Sequence, residues 1–324
     1  MTVTPHQKSP NESGSRILAV LIPCYNEEIT IGKVVTDFKN FTPGAKIYVF
    51  DNNSTDRTAQ IARDAGAIVI KSPRQGKGNV VRHMLSVVDA DLYIMIDGDD
   101  TYPADMAGEM IAAVEDSGVD MVVGMRLSHY DEKAFRRMHE FGNRFVAWLV
   151  SFLFSSKVTD ILSGYRVFTK NFARNIYLKS SGFEVETEMT LQALAKDYVI
   201  KEVPIRYGRR PEGSISKLNT LSDGIHILKA IFLIFKEYKP LVFFSLLSAI
   251  SFVLGLVVGW FPISDYLTTR YVSHVPFAIL ATALEILAVL FLGIGLILNT
   301  ITRFHMESHE LMKNLFKAVD KHNS

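Results

Sequence analysis

The stretch LYIMIDGDDTYP, residues 92–103, decides how the rest of the chain is interpreted. It begins as an apolar run and ends in three aspartates within four positions, Asp97, Asp99 and Asp100. Like charges crowded on a turn repel one another, which favours a counter-charge between them. We therefore predict that Asp97 and Asp99 bind one Mg²⁺ or Mn²⁺ ion that also holds a diphosphate. Asp100 is predicted to cap the helix that begins at Pro103.

Strand-like apolar runs alternate with helical patterns over the first hundred residues. The predicted strands are RILAVLIP (16–23), KIYVFDN (46–52), AIVIK (67–71) and DLYIMID (91–97), and helical patterns cover 29–41, 55–66 and 78–88. This alternation predicts an α/β domain with a mainly parallel sheet and helices on both faces.

A polar segment follows each predicted strand: PCYNEE, DNNSTD, RQGKGN and DGDD. Ligands of parallel sheets bind at the C-terminal ends of the strands, so these segments should meet at one site. Two aspartates in a D-x-D pattern also occur in ordinary capped turns. The strand-end setting is what favours the metal site over a capped turn.

The first two polar segments predict a nucleotide pocket. Asp51 ends the second strand, where an acid accepts hydrogen bonds from a ribose or a nucleobase. The predicted donor-binding set near it comprises Pro23, Tyr25, Asn26, Glu27, Ser54 and Gly98. Glu27 is predicted to steady its loop, to lie in the first turn of the next helix where the helix dipole favours an acid, or to do both. Lys77 is either a phosphate contact or a surface lysine, because its surroundings lack the full P-loop spacing.

Composition sets limits on the function class. The net charge of the 324 residues is +1, and we predict no nucleic-acid partner. A single cysteine, Cys24, excludes an intrachain disulfide. Residues 1–15 are polar and are predicted to be a disordered tail, not a signal peptide.

The composition changes sharply after Lys239. No charged residue occurs from 240 to 264, and only Glu285 interrupts a second apolar run from 275 to 302. A membrane-spanning helix needs about 20 residues, so we predict a two-helix transmembrane hairpin over 240–302. Two buried helices of a soluble protein are the alternative, but such helices rarely continue so far without charge.

The basic residues predict the orientation of this hairpin. The connector DYLTTRY has one basic residue, whereas the tail 303–324 has four and the first domain is also rich in Lys and Arg. The positive-inside rule therefore places the large domain and both termini on the cytoplasmic side of the inner membrane.

Four further features are consistent with a membrane setting. Residues 221–239 have the spacing of an interfacial amphipathic helix. The segment 135–154 either dips an apolar face into the headgroups, with Arg136 and Arg137 reaching a lipid phosphate, or packs in the core. A GxxxG pattern at 255–259 permits close helix packing or the contacts of a homo-oligomer. Glu285 should face a helix partner or a neighbouring subunit.

Five motifs together resemble one family. IPCYNEE, DNNSTDRT, GKGN, IDGDDTYP and DILSGYRVF look like the polyisoprenyl-phosphate glycosyltransferases, the group of dolichyl-phosphate mannose synthase and the bacterial GtrB-type enzymes. The resemblance runs over residues 17–217, and the two C-terminal spans match the GtrB type. It implies a GT-A-type, Rossmann-like domain over 16–220, a nucleotide-sugar donor, a divalent metal at Asp97 and Asp99, and a polyprenyl-phosphate acceptor. Dolichol-type enzymes tend to have Gln where this chain has Thr101.

The chemistry of such an acceptor indicates which side chains the site needs. A phosphate monoester has its second pKa near about 6, so it requires neutralising charge and positioning more than a strong base. The candidate basic residues are Arg126, Arg206, Arg209, Arg210 and Lys217, of which Arg126, Arg209 and Lys217 are favoured over an ordinary basic surface facing lipid headgroups.

The resemblance also assigns roles near the acceptor. It implies that Asp160 is the acidic residue there, either orienting the acceptor or acting as a base, so that Asp99, Arg126 and Asp160 are the predicted catalytic residues. Arg166 is predicted to pair with a nearby carboxylate.

The expected activity is an inverting transfer of one hexose, from UDP-glucose, onto undecaprenyl phosphate. A GDP-mannose-dependent mannose synthase is the alternative within the family. A processive polysaccharide synthase is disfavoured because neither Trp148 nor Trp260 lies in the Q-x-x-R-W context of those enzymes. A non-catalytic scaffold is disfavoured because the acids at 51, 97, 99 and 160 are intact.

Overall fold

The computed structural model describes residues 16–116, 118–127, 146–154, 156–214 and 220–322. The predictions for the tail 1–15 and for Arg136, Arg137 and Lys217 therefore lie outside the described residues. The chain divides into two compact units, Met1–Leu228 and Lys229–Ser324. The division falls inside the predicted interfacial helix.

The first unit is built on a seven-stranded sheet with the strand order β3-β2-β1-β4-β6-β5-β7. The strands are β1 (Leu18–Cys24), β2 (Lys46–Asp51), β3 (Ile68–Lys71), β4 (Leu92–Met95), β5 (Met121–Leu127), β6 (Arg166–Thr169) and β7 (Ile200–Arg206). Only β6 runs antiparallel to its neighbours, β4 and β5. The predicted α/β fold with a mainly parallel sheet is confirmed.

Helices connect and cover these strands. They are α1 (Ile31–Phe41), α2 (Thr58–Asp64), α3 (Lys77–Val87), α4 (Ala107–Glu115), α5 (146–154), α6 (Lys170–Asn175), α7 (Val185–Ala195), α8 (Thr220–Tyr238), α9 (Pro240–Thr269) and α10 (Val275–His322). Successive residues of β1 pack in two different hydrophobic clusters. Ile22 belongs to the cluster with α1 and α4, and Leu21 to the cluster with α3 and α7. Because successive side chains of a strand point to opposite faces, the sheet is buried on both sides.

Asp100 does not cap a helix, contrary to the prediction. The helical segment begins with a 3₁₀ turn, Ala104–Met106, which no side chain caps. Asp100 has a left-handed backbone, with φ of 58°. Its carboxylate lies 2.6 Å from the Lys33 ammonium of α1, so this turn directs it away from the following helix.

The second unit contains two long apolar helices. By length and composition, Pro240–Thr269 and Val275–Ser308 are each long and apolar enough to cross a membrane. Only 11% of the most apolar window of each is buried, which is unlike the core helix of a soluble protein. These exposed apolar helices suggest association with a membrane.

The GxxxG pattern faces the other helix of the same hairpin. A side chain at Gly255 would meet the carboxyl group of Glu285, and one at Gly259 would touch Ala281. Glu285 therefore faces a helix partner, as predicted. One of its carboxyl oxygens is buried without a hydrogen-bond partner among the described residues.

Candidate active site

A cavity of about 440 Å³ opens at the C-terminal ends of β1, β2 and β4. Its lining includes eight of the predicted site residues: Pro23, Tyr25, Glu27, Lys77, Asp97, Gly98, Asp99 and Arg126. Five others that the structure describes, Asn26, Asp51, Ser54, Asp160 and Arg209, are not among the lining residues. The segments that follow separate strands thus meet at one place, because parallel strands present their C-terminal ends at the same edge.

Lys77 joins two carboxylates inside the cavity. Its ammonium group lies 2.5 Å from Asp97 Oδ1 and 2.5 Å from Glu186 Oε1. Burial by itself would lower the pKa of Lys77, but the charges of Asp97 and Glu186 outweigh it and raise that pKa above its usual range. Since only 12% of its side chain is exposed, Lys77 is not a surface lysine. It is a fixed positive charge inside the site.

Asp99 is held by a second cation. One Asp99 oxygen lies 2.5 Å from an Arg210 nitrogen, and the other accepts a 2.6 Å hydrogen bond from the Thr101 hydroxyl. Arg210 also lies 3.8 Å from Glu27. Burial, and then the charge of Asp97, raise the pKa of Asp99, while Arg210 and Thr101 oppose that rise. Thr101, the departure from the dolichol-type motif, therefore orients Asp99.

Asp97 and Asp99 fit a divalent cation that keeps other ligands of its own. No group of three His, Cys, Asp or Glu side chains suited to a metal occurs in the described ranges. Mg²⁺ commonly takes one or two carboxylates and completes its octahedron with water and phosphate oxygens. A side chain at Gly164 would clash with Asp97 Oδ2, at 2.6 Å, so only glycine lets the backbone at 164 pack this closely against the carboxylate. The mutual repulsion of the two acids also favours a cation between them.

Hydrogen bonds join the loops that follow β1 and β2. The Ser54 amide donates to Asp51, at 3.2 Å, and the Asn26 amide donates to the Ser54 hydroxyl, at 3.0 Å. Asn26 adopts a left-handed backbone with φ of 53°, and its side chain accepts from the Thr55 amide. Asn26, Asp51 and Ser54 do not line the cavity themselves. Their hydrogen bonds support the loop that carries Tyr25.

Arg126 and Asp160 form a bidentate ion pair. Both nitrogen–oxygen distances are 2.7 Å, and the Arg126 amide adds a third hydrogen bond of 3.1 Å. Burial alone would raise the pKa of Asp160, but Arg126 lowers it below its usual range. The guanidinium group also lies 5.3 Å from the centre of the Tyr207 ring. Both Asp160 oxygens are thus occupied, which suits orienting Arg126 better than accepting a proton.

Two predictions about arginines need correction or refinement. Arg166 is fully buried and donates to the carbonyls of Ile161 and Ser163 and to the Thr190 hydroxyl, so the predicted pairing with a carboxylate is wrong. It shapes the loop before β6 by binding backbone oxygens. In the basic segment after β7 the cavity is lined by Arg210 and not by the favoured Arg209.

Sequence reasoning missed several lining residues, above all Glu186, Phe183, Tyr102 and Tyr207. Glu186 lies in GFEVETEMT, where acids occupy the alternate positions 184, 186 and 188 and the nearest basic residue, Lys179, is seven positions before Glu186. The signal that the sequence offered was this run of acids without a basic residue three or four positions away. Its partner, Lys77, is over a hundred residues away in the chain.

Comparisons with known proteins agree with this geometry. Residues 19–177 match Glycosyl transferase family 2. Glycosyltransferase AglJ of Haloferax volcanii is 32% identical over 92% of this chain and 98% of its own length. The dolichyl-phosphate hexose transferase of the same organism is 34% identical over 66% of this chain and 92% of its own length.

A solved structure shows the same fold. Glucosyl-3-phosphoglycerate synthase of Mycobacterium tuberculosis, in complex with Mn²⁺, UDP and glucosyl-3-phosphoglycerate, has a TM-score of 0.57 and 18% identity. The similarity covers 71% of this chain and 86% of that protein. The fold is thus of the GT-A, Rossmann-like type.

Replacing Asp160 tests whether this acid titrates as a base would. Asp160→Asn leaves Arg126 without its charged partner, so we expect a loss of about 3 kcal/mol at pH 7, or roughly 6–12 °C in the thermal midpoint. A carboxyl group whose pKa is lowered in the folded protein stabilises the fold at pH values above its pKa in the unfolded chain, about 3.9. This stabilisation is lost as the pH falls through the pKa of the folded state. The thermal midpoint of Asp160→Asn in detergent should therefore lie below that of the parent by the same amount at pH 7 and at pH 5.

The matched control for this prediction is Asp105→Asn. It breaks the exposed ion pair with Arg206 and should cost less than about 1 kcal/mol. If the parent's advantage over Asp160→Asn disappears between pH 7 and pH 5, Asp160 titrates in the range of a base and the positioning role is contradicted.

Proposed function

Since the chain belongs to Glycosyl transferase family 2, we propose that it is an inverting hexosyltransferase that acts on a polyprenyl phosphate. The proposed donor is UDP-glucose, and the proposed acceptor is undecaprenyl phosphate at the cytoplasmic face of the membrane. One observation carries the proposal: Asp97 and Asp99 meet Lys77 and Arg210 in a single cavity at the strand ends. The name of the dolichyl-phosphate hexose transferase relative and the two apolar helices support a lipid-linked acceptor.

The side chains on the donor side manage the charge of a diphosphate. When bound at Asp97 and Asp99, Mg²⁺ or Mn²⁺ supplies positive charge for the departing nucleotide diphosphate. Lys77 and Arg210 add positive charge within the same walls. Tyr25 and the Asp51 loop hold the nucleotide. Tyr102 and Tyr207, whose rings meet edge to face with centres 5.1 Å apart, add an aromatic surface to the cavity.

The acceptor side requires a held cation and no strong base. An oxygen of the lipid phosphate attacks the anomeric carbon, the bond from that carbon to the diphosphate oxygen breaks, and the configuration inverts. Because the phosphate is already an anion, no proton has to leave it. Arg126, fixed by Asp160, binds that phosphate, and we propose the same role for Arg136 and Arg137. Arg209 and Lys217 are proposed to contact the donor.

A transfer assay tests the proposal directly. The purified full chain in detergent is incubated with Mg²⁺, undecaprenyl phosphate and one radiolabelled donor at a time, including UDP-glucose and GDP-mannose. We expect label from UDP-glucose to enter the organic phase, only when both lipid and Mg²⁺ are present. If the lipid is labelled from GDP-mannose instead, the proposed donor is wrong and the proposed reaction class stands. If no donor labels the lipid, the proposed function is wrong.

A pair of neighbouring variants tests the metal assignment. Asp99→Asn removes one charge from the predicted metal ligands, so we expect the transfer rate to fall by about 10²-fold. The Mg²⁺ concentration needed for half-maximal rate should rise as well. The control, Asp100→Asn, also removes one negative charge, at the adjacent residue. Asn tolerates the left-handed backbone found there. Its rate should stay within about twofold of the parent, since the ion pair that it loses joins two residues outside the cavity lining, Asp100 and the 60%-exposed Lys33. Equal rates for Asp99→Asn and the parent would refute the assignment.

We further propose that α9 and α10 cross the membrane, with the large unit and both termini cytoplasmic. Single cysteines at positions 2, 273 and 324, in a Cys24→Ala background, test this topology. A membrane-impermeant maleimide added to intact cells should label position 273, in the connector, and should label positions 2 and 324 only after lysis. Labelling of the termini in intact cells would invert the topology. Homo-oligomerisation stays a prediction, because the glycines that suggested it face the hairpin's own second helix.

A further inference from the structure

Three glutamates begin α7, and two of them hold the preceding loop. Glu188 accepts hydrogen bonds from the amides of Lys179 and Ser180, at 2.8–3.0 Å. Glu184 accepts from the amides of Ser181 and Gly182, at 3.1 Å. The third, Glu186, is the one that lines the cavity. The loop is therefore supported without Glu186, whose carboxylate needs another explanation.

Glu186 forms one wall of the cavity together with Lys77 and Phe183. The side chain of Glu186 is only 3% exposed, and one of its carboxylate oxygens lies 2.5 Å from the Lys77 ammonium. That ammonium lies 5.9 Å from the centre of the Phe183 ring. An ionised carboxyl group has about four lone-pair positions, so Glu186 keeps room for further donors. The wall offers an acceptor, a donor and an apolar ring face side by side.

Within this wall, the Glu186 carboxylate disfavours a neighbouring phosphate and favours a neutral polyol. Glu186 would repel an anion, whereas its oxygens accept hydrogen bonds from hydroxyl groups. Phosphates are better matched by Arg210 and by a cation at Asp97 and Asp99. Because a buried carboxylate without its hydrogen bonds is costly, such a site discriminates strongly between ligands that have and lack a given hydroxyl group.

We propose that Glu186 binds the hydroxyl groups of the donor's hexose and is a specificity-determining residue for that sugar. Asp97 connects this wall to the diphosphate site, because it shares the Lys77 ammonium with Glu186. The sugar thus lies between the nucleotide diphosphate and the α7 wall. This inference rests on the proposed function, and its test separates the two.

Calorimetric titration of the full chain in detergent with Mg²⁺ compares UDP with UDP-glucose, and GDP with GDP-mannose. For the nucleotide pair that the parent binds, Glu186→Gln should leave the affinity for the nucleotide diphosphate unchanged. The affinity for the nucleotide sugar should fall about tenfold, as expected for the loss of one hydrogen bond to a charged acceptor. Glu184→Gln makes the same charge change two residues away, outside the cavity lining, and should alter neither affinity.

The outcomes distinguish the two hypotheses. If the parent binds neither nucleotide pair, the proposed function fails first. If the parent binds both ligands and Glu186→Gln weakens both equally, or neither, the function stands and the sugar contact is refuted. UDP-deoxyglucose analogues provide a second measurement, and their binding to the parent can still overturn the inference if the variant does not fold. At least one missing hydroxyl group should weaken binding to the parent and cause no further loss in Glu186→Gln; if none weakens binding to the parent, the inference is overturned.

Discussion

The balance of charge around Asp97 and Asp99 is the constraint on which the site depends. Within the part of the chain that the structure describes, Lys77 and Arg210 lie against these two acids and against Glu27 and Glu186, so the acids exceed the cations there. Buried like charges are costly unless they are paired, so the cavity has capacity for additional positive charge. A divalent ion carrying a diphosphate meets this need, because the ion relieves the acids while the phosphates pair with the basic side chains. The same groups that concentrate negative charge in the cavity would therefore make it selective for a metal-bound nucleotide.

The fold produces this arrangement by placing strand ends side by side and by packing the backbone closely at Gly98 and Gly164. β1, β2 and β4 are neighbours in the sheet, so the segments that follow them lie side by side. A side chain at Gly98 would come within 2.7 Å of the Cys24 sulfur, and one at Gly164 would come within 2.6 Å of an Asp97 carboxylate oxygen. Arg166 holds the loop that carries Asp160 and Gly164 through its backbone carbonyls. The apolar hairpin belongs to a separate unit, which accounts for the sharp change in composition after Lys239.

Much of this could be predicted from local pattern, and the failures have physical causes. The parallel strands and the acids at their ends were predictable because strand period and turn chemistry are local properties. The antiparallel β6 between β4 and β5 was not, since its four residues have no pattern that reveals a direction. Asp100 was assigned to a cap because its left-handed turn is invisible in sequence. Glu186 and Arg166 were missed or misassigned because their partners are remote in the chain or are backbone oxygens, which no residue pattern records.

The most direct test of the central claim is anomalous scattering from crystals of the full chain grown with Mn²⁺ and UDP. The account predicts one Mn²⁺ peak bound by carboxylate oxygens of Asp97 and Asp99 and by phosphate oxygens of the nucleotide. A peak located elsewhere, with the nucleotide bound and Arg210 still paired to Asp99, would contradict it.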